Sequence, residues 1–297
     1  MNNYRKNKIR LLNNGKIIST EDGNYVIKSN ENVDSINNLY SYLNSKGFSN
    51  YLNYLDEIDG NVIYPYIETT LGETSEEASI IIEIIAFLHK KTAFYKTISL
   101  ENVREKYEEQ IKKLEDLEKY YDELVNNCEE EEYLSPSLYY FLRNSSLIFH
   151  SLKRSRLLLD NWYSIIKDKK SKRVCLIHGN LCFEHFLNSD NKYLISWSKS
   201  RNDINIYDLI SFYKDSYDMV PFIDLLDLYN SIFPMLREEE ELFFSLILEP
   251  AKFTLEDIEI NNVSNIYSII NYLNKSNELV SNYHSSNSNS KSNEENE

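Results

Sequence analysis

The stretch from Val174 to Asp208 constrains this chain more than any other. Val174–Ile177 is a short apolar run with strand character, and it leads directly into His178-Gly179-Asn180. His185 follows, then a second strand candidate at Lys192–Ser196, then Tyr207-Asp208-Leu209. Two apolar strands therefore bracket a loop of hydrogen-bonding side chains. A chain carrying such a segment is not all-helical, although most of the sequence around it reads as helix.

The remaining segments predict an α+β protein in two lobes. Residues 1–70 read as a small β-rich lobe. Ile9–Leu12, Lys16–Ser19 and Tyr25–Lys28 are strand candidates, separated by turn signals at Asn13-Asn14-Gly15 and Asp22-Gly23. Val33–Lys46 carries Ile36, Leu39, Tyr40 and Leu43 at helical spacing, and Gly47 stops it. Two further strands, Leu55–Ile58 and Val62–Tyr66, flank Asp59-Gly60-Asn61. From residue 71 to 284 the pattern is mainly helical, with short strands near 174–196. Thr74 and Glu77 have capping-box spacing ahead of Ala78, Ile81, Ile82, Ile85 and Leu88. Long helices are expected over Ser99–Asn127 and Leu138–Ile166. Ser285–Glu297 is rich in Ser, Asn and Glu, and the expectation is a disordered tail.

Charge narrows the function classes. The formal net charge of −15 excludes nucleic acid as an expected partner, because a phosphate backbone requires a basic surface. Lys167–Arg173 is a basic run, read as a solvated turn. The cysteines, Cys128, Cys175 and Cys182, lack paired metal spacing and suggest no disulfide framework, which favours a cytoplasmic setting. No segment approaches the ~18 uninterrupted apolar residues of a membrane span. Met1–Arg10 is polar and basic, unlike a secretory signal.

Kinase-type catalytic segments follow the order H-G-D-x-x-x-x-N, then an apolar strand ending in a metal-binding Asp. With Tyr25-Val26-Ile27-Lys28 in the small lobe, a connector after Tyr66-Ile67-Glu68 and His178-Gly179-Asn180 in the large one, the chain resembles the aminoglycoside/choline kinase-like fold. Within it, the chain is most similar to spore-coat kinase-like proteins of the CotS type. The resemblance covers about residues 8–284. It implies that Lys28 is the lysine that holds nucleotide phosphates. It also implies that Asn180 stands at the catalytic Asp position, and that His185 and Ser196 stand at the two metal-ligand positions. An amide is not a usable base at neutral pH, imidazole suits Mg²⁺ poorly, and a serine hydroxyl brings no charge. His178 and Asp208 are implied to be scaffold, the latter holding the loop from the start of a helix. The helix Val33–Lys46 has no acid beyond Asp34 to pair with Lys28, and Gly15 and Gly23 are isolated turn glycines rather than a phosphate loop.

The expectation is a pseudokinase without a cofactor, acting through protein partners, with a spore-coat or envelope role implied by the resemblance alone. The competing expectation is an active phosphotransferase using ATP and Mg²⁺ on a small hydroxylated substrate, with Glu184 or Asp203 as a displaced acid. A nucleotide- or metabolite-sensing domain is the third.

Overall fold

The computed structural model describes residues 8–12, 15–29, 31–70 and 72–294. Its small lobe contains β1 (Lys8–Leu12), β2 (Gly15–Thr20), β3 (Gly23–Ser29), helix α1 (Val33–Ser45), β4 (Asp56–Ile58) and β5 (Asn61–Pro65). The strands form one antiparallel sheet in the order β1-β2-β3-β5-β4. This is the expected succession of strands, helix and strands. The first expected turn includes Asn13 and Asn14, which lie outside the described residues.

Helix α1 starts where Asn32 accepts the Ser35 N–H at 3.0 Å, satisfying one of the free amides of the first turn. It stops at Gly47, whose φ of +66° lets the Phe48 N–H turn back to the Leu43 carbonyl at 3.0 Å. The lobe's own core is small: Leu52, Val62 and Tyr64, with Val26, Val33 and Ile36 packed against them.

The large lobe begins with α2 (Thr74–Thr92) and a short strand β6 (Phe94–Thr97). Two long helices follow, α3 (Leu100–Glu130) and α4 (Pro136–Ile166), then β7 (Ser171–Ile177), β8 (Phe186–Asn188), β9 (Lys192–Leu194) and β10 (Arg201–Asp203). Helices α5 (Ile206–Ser216), α6 (Phe222–Ile232), α7 (Arg237–Ile247) and α8 (Glu259–Glu294) complete it. On α2, Ile81, Ile82, Ile85 and Leu88 are fully buried, as their spacing predicts. Each such side chain contributes about 1.5–3 kcal/mol of transfer free energy.

Two local expectations fail. Thr74 is already helical and Glu73 holds the cap position without a side-chain bond, so no capping box forms. Glu77 instead accepts from the Gly72 N–H at 3.2 Å and the Asn188 amide at 2.9 Å. Strands β6 and β10 extend the large lobe's sheet beyond 174–196, in the order β10-β7-β6. Helix α8 is drawn through Glu294, and the tail reading from Ser285 stays an expectation. Residues 295–297 lie outside the described residues.

The hairpin β8–β9 fastens one lobe to the other. Its alternating side chains serve two cores: Phe186 and Leu194 enter the large one, while Leu187, Tyr193 and Ile195 pack on the small one. Backbone bonds from Leu194 N to Asn50 O at 2.9 Å and from Thr70 N to Asn188 O at 2.7 Å reinforce the junction. Ser196 thus emerges at the seam.

Candidate functional site

Strand β7 is buried from Val174 to Ile177 and delivers His178-Gly179-Asn180 to the cleft. Gly179 has φ +79°, and a Cβ there would lie 2.2 Å from the Lys199 carbonyl oxygen. Only glycine fits both the backbone conformation and the close approach.

Behind this loop sits Asp208, in the first turn of α5 and fully buried. Its two oxygens accept the His178 N–H at 2.7 Å and the Gly179 N–H at 2.8 Å. His89 of α2 adds its Nε2 at 3.1 Å, and the other ring nitrogen of His89 meets the Tyr229 hydroxyl at 2.8 Å. Burial pushes the Asp208 carboxyl up, but the hydrogen bond and charge of His89, with His178 and the Gly179 amide, outweigh it and hold it below the usual range. A buried carboxylate with this many donors is a clamp for the loop.

His178 is itself scaffold. Its Nε2 lies 2.8 Å from the Ile195 carbonyl, and its ring meets Trp197 edge-on at 4.7 Å. A carbonyl only accepts, so Nε2 carries the proton. Burial lowers the His178 pKa, which keeps the ring neutral. This bond ties the loop to the residue preceding Ser196.

The side of the loop that faces the cleft has different chemistry. Lys28 on β3 reaches across from the small lobe, with Nζ 3.3 Å from Ser196 Oγ. Ser196 holds a left-handed backbone, φ +67° and ψ 50°, which costs a non-glycine residue about 1–2 kcal/mol. Lys28 Nζ also lies 3.6 Å from Glu31 Oε1, and the second Glu31 oxygen accepts the Tyr64 hydroxyl at 2.7 Å. Burial, then Tyr40 and Glu31, push the Tyr64 phenol up, so it remains the donor. The expectation that Lys28 lacks an acid partner is corrected here: Glu31 supplies the carboxylate from the loop before α1.

Asn180 and His185 are brought together. His185 Nδ1 lies 2.7 Å from the Asn180 carbonyl and 3.3 Å from its side-chain amide nitrogen. Because the carbonyl can only accept, Nδ1 carries the proton. Ile195 N–H bonds the His185 carbonyl at 2.9 Å, which joins this pair to the Ser196 strand end. The Cys182 thiol, 3.2 Å from the same Nδ1, is held up by burial and stays protonated.

Neither candidate displaced acid hydrogen-bonds the side chains of Asn180, His185 or Ser196. Glu184 is exposed. Asp203 has one oxygen 3.1 Å from Arg201 Nε and the other 2.9 Å from its neighbour's N–H at Ile204. No group of three or more His, Cys, Asp or Glu side chains suited to a metal occurs among the described residues. Mg²⁺ seeks near-octahedral oxygen with carboxylate charge, and an amide, an imidazole and a lysine-bonded hydroxyl do not provide that set. The residues at these positions do not fit the ion.

Four residues escaped sequence reasoning. Glu31 sits three residues after Lys28, a spacing that carries no signal outside a helix. His89 and Tyr229 belong to helices over 100 residues apart, and no local pattern joins them. Asp215 on α5, which accepts the Phe183 N–H at 2.9 Å and steadies the loop, had no signal either.

The architecture matches solved phosphotransferases. An aminoglycoside phosphotransferase from Alicyclobacillus acidocaldarius superposes with a TM-score of 0.69 at 9% identity, over 95% of this chain and 92% of that one. The AMP-bound spectinomycin phosphotransferase APH(9)-Ia gives 0.55 at 12% identity, over 91% and 93%. Identities this low show the fold: a two-lobed, aminoglycoside phosphotransferase-like α+β protein. No family model and no curated protein matches the sequence. No helix among the described residues is long and apolar enough to cross a membrane.

Proposed function

We propose that this protein is a pseudokinase, a phosphotransferase-like scaffold that binds a protein partner instead of transferring phosphate. The observation that carries this reading is the Lys28–Ser196 contact at 3.3 Å. On the resemblance, Ser196 stands where a carboxylate would bridge metal and nucleotide, and here a neutral hydroxyl meets the lysine instead. With Asn180 at the base position and His185 bonded to the Asn180 carbonyl, no group at the three positions brings negative charge. Without that charge, nothing offsets the repulsion among nucleotide phosphates or accepts a substrate proton. On the resemblance read from the sequence alone, spore-coat or envelope assembly is the setting we favour.

One observation favours the competing reading. Lys28 keeps an acid partner in Glu31, so the small-lobe half of a phosphate site is assembled. An active enzyme acting on a small molecule would build on that half. A thermal-shift titration with ATP, with and without Mg²⁺, separates the two. Ligand at about 100 times its dissociation constant contributes about 2.7 kcal/mol. The pseudokinase reading predicts little or no shift, and a large Mg²⁺-dependent shift favours the enzyme.

A further inference from the structure

A cavity of about 480 Å³ lies on the large lobe, bounded by the β6–β7 edge and by α3, α4 and α7. Three lysines line it: Lys96 on β6, Lys106 on α3 and Lys172 on β7. Lys96 and Lys172 are register partners across the two strands, so like charges stand directly opposite each other. Such a pair destabilises a sheet, and here Lys106 adds a third positive charge. Burial, then Lys106 and Lys96, lower the Lys172 pKa, against an opposing pull from Asp203.

The arrangement is unexpected in a chain with 47 acidic and 32 basic residues. None of the ion pairs among the described residues includes Lys96, Lys106 or Lys172. The carboxylates nearby are committed elsewhere: Glu238 to Lys169, Glu239 to Arg173 and Asp203 to Arg201. Glu109 lines the cavity as an exposed residue. The floor is apolar, with Trp162, Leu159 and Leu242 largely buried beneath the ammonium groups.

We propose that this cavity is a binding site for a small organic phosphate, its phosphate held by Lys96, Lys106 and Lys172 and its apolar part resting against Trp162. Three ammonium groups without carboxylate partners are each a strong, mobile donor to a compact dianion. The volume is that of a small-molecule site. The overall negative charge repels anions at long range, so a ligand here is selected by the local cluster. The site is separate from the interlobe cleft: Lys172 precedes His178 by six strand residues, about 20 Å of extended chain.

Inorganic pyrophosphate is the probe, titrated calorimetrically into the full chain at constant ionic strength. One saturable site is expected. Lys172→Gln and Lys96→Gln should each weaken it at least about tenfold, the worth of one charge-assisted hydrogen bond. Lys28→Gln, in the cleft, should leave it unchanged. Without pyrophosphate, Lys172→Gln should keep or raise the melting temperature, because it relieves repulsion; this separates lost binding from lost folding. Absence of saturable binding overturns the proposal. So does binding abolished by Lys28→Gln and retained by Lys172→Gln, or a melting temperature lowered by Lys172→Gln. Citrate binding that is lost in the same variants, with no pyrophosphate binding, overturns the phosphate assignment.

Discussion

The loop after β7 has a back and a front. At the back, Asp208 is fully buried and accepts three hydrogen bonds, from His178, Gly179 and His89. At the front, Asn180, His185 and Ser196 are partly exposed. The back supplies groups that hold the backbone, and at the front Asn180, His185 and Ser196 bring no anionic group. Stability and chemistry on one loop can thus be carried by different side chains. On the proposed reading, the clamp holds the loop in place, whereas charge at its front would matter for turnover.

Breaking the back should cost far more than altering the front. Asp208→Ala leaves the His178 and Gly179 amides and the His89 ring buried without their acceptor, and should destabilise by about 3–5 kcal/mol. Asn180→Ala should change stability by less than about 1 kcal/mol, because its amide makes no strong bond. Chemical denaturation of both variants checks the contrast, and equal losses would refute it. Next in size is Gly179→Ala, where a Cβ would meet the Lys199 carbonyl at 2.2 Å in a left-handed conformation. A loss above about 2 kcal/mol is expected.

Acid should find the same back face. The folded pKa of His178 lies below its ordinary 6.5 because of burial, so the unfolded chain binds the proton more readily. This contribution to stability is complete above pH 6.5 and is lost as pH falls toward the folded value. Asp208, lowered from 3.8, contributes above that pH and loses its share as pH falls further. His178→Gln keeps a donor for the Ile195 carbonyl and cannot charge. Unfolding free energies measured against pH should lose, in this variant, the part of the decline that begins below pH 6.5. The smallest effect belongs to the front: Ser196→Gly relieves the left-handed strain at φ +67°, and should raise stability by up to about 1 kcal/mol despite the lost Lys28 contact.

Much of this division was readable from residue order. The strand ending at Ile177, the helix over Ile81–Leu88 and the stop at Gly47 follow from local periodicity and backbone preference, which one segment contains by itself. The approach of Lys28 to Ser196 was implied by the resemblance, not by any local pattern. Unreadable were contacts made by residues far apart in sequence or set by small choices at element ends. Glu31 pairs with Lys28 only because β3 ends and α1 begins at that spot. Glu77 prefers Asn188 over its own helix start, and β6 forms because β7 gives it an edge to pair with. His89 reads as one more position on a helix face until Asp208 and Tyr229 are seen beside it.

On the pseudokinase reading, the scaffold stands and only charge is missing at the front. Mg²⁺-dependent ATP affinity, measured for the native chain and for Asn180→Asp/His185→Asn/Ser196→Asp combined, tests it most directly. The three changes restore oxygen ligands and two carboxylates where Lys28 and the clamped loop already meet. No Mg²⁺-dependent affinity is expected in the native chain, little in any single variant, and a clear gain in the triple variant. Native protein that binds Mg-ATP tightly, or that transfers phosphate from ATP and loses this on Glu184→Gln or Asp203→Asn, would contradict it.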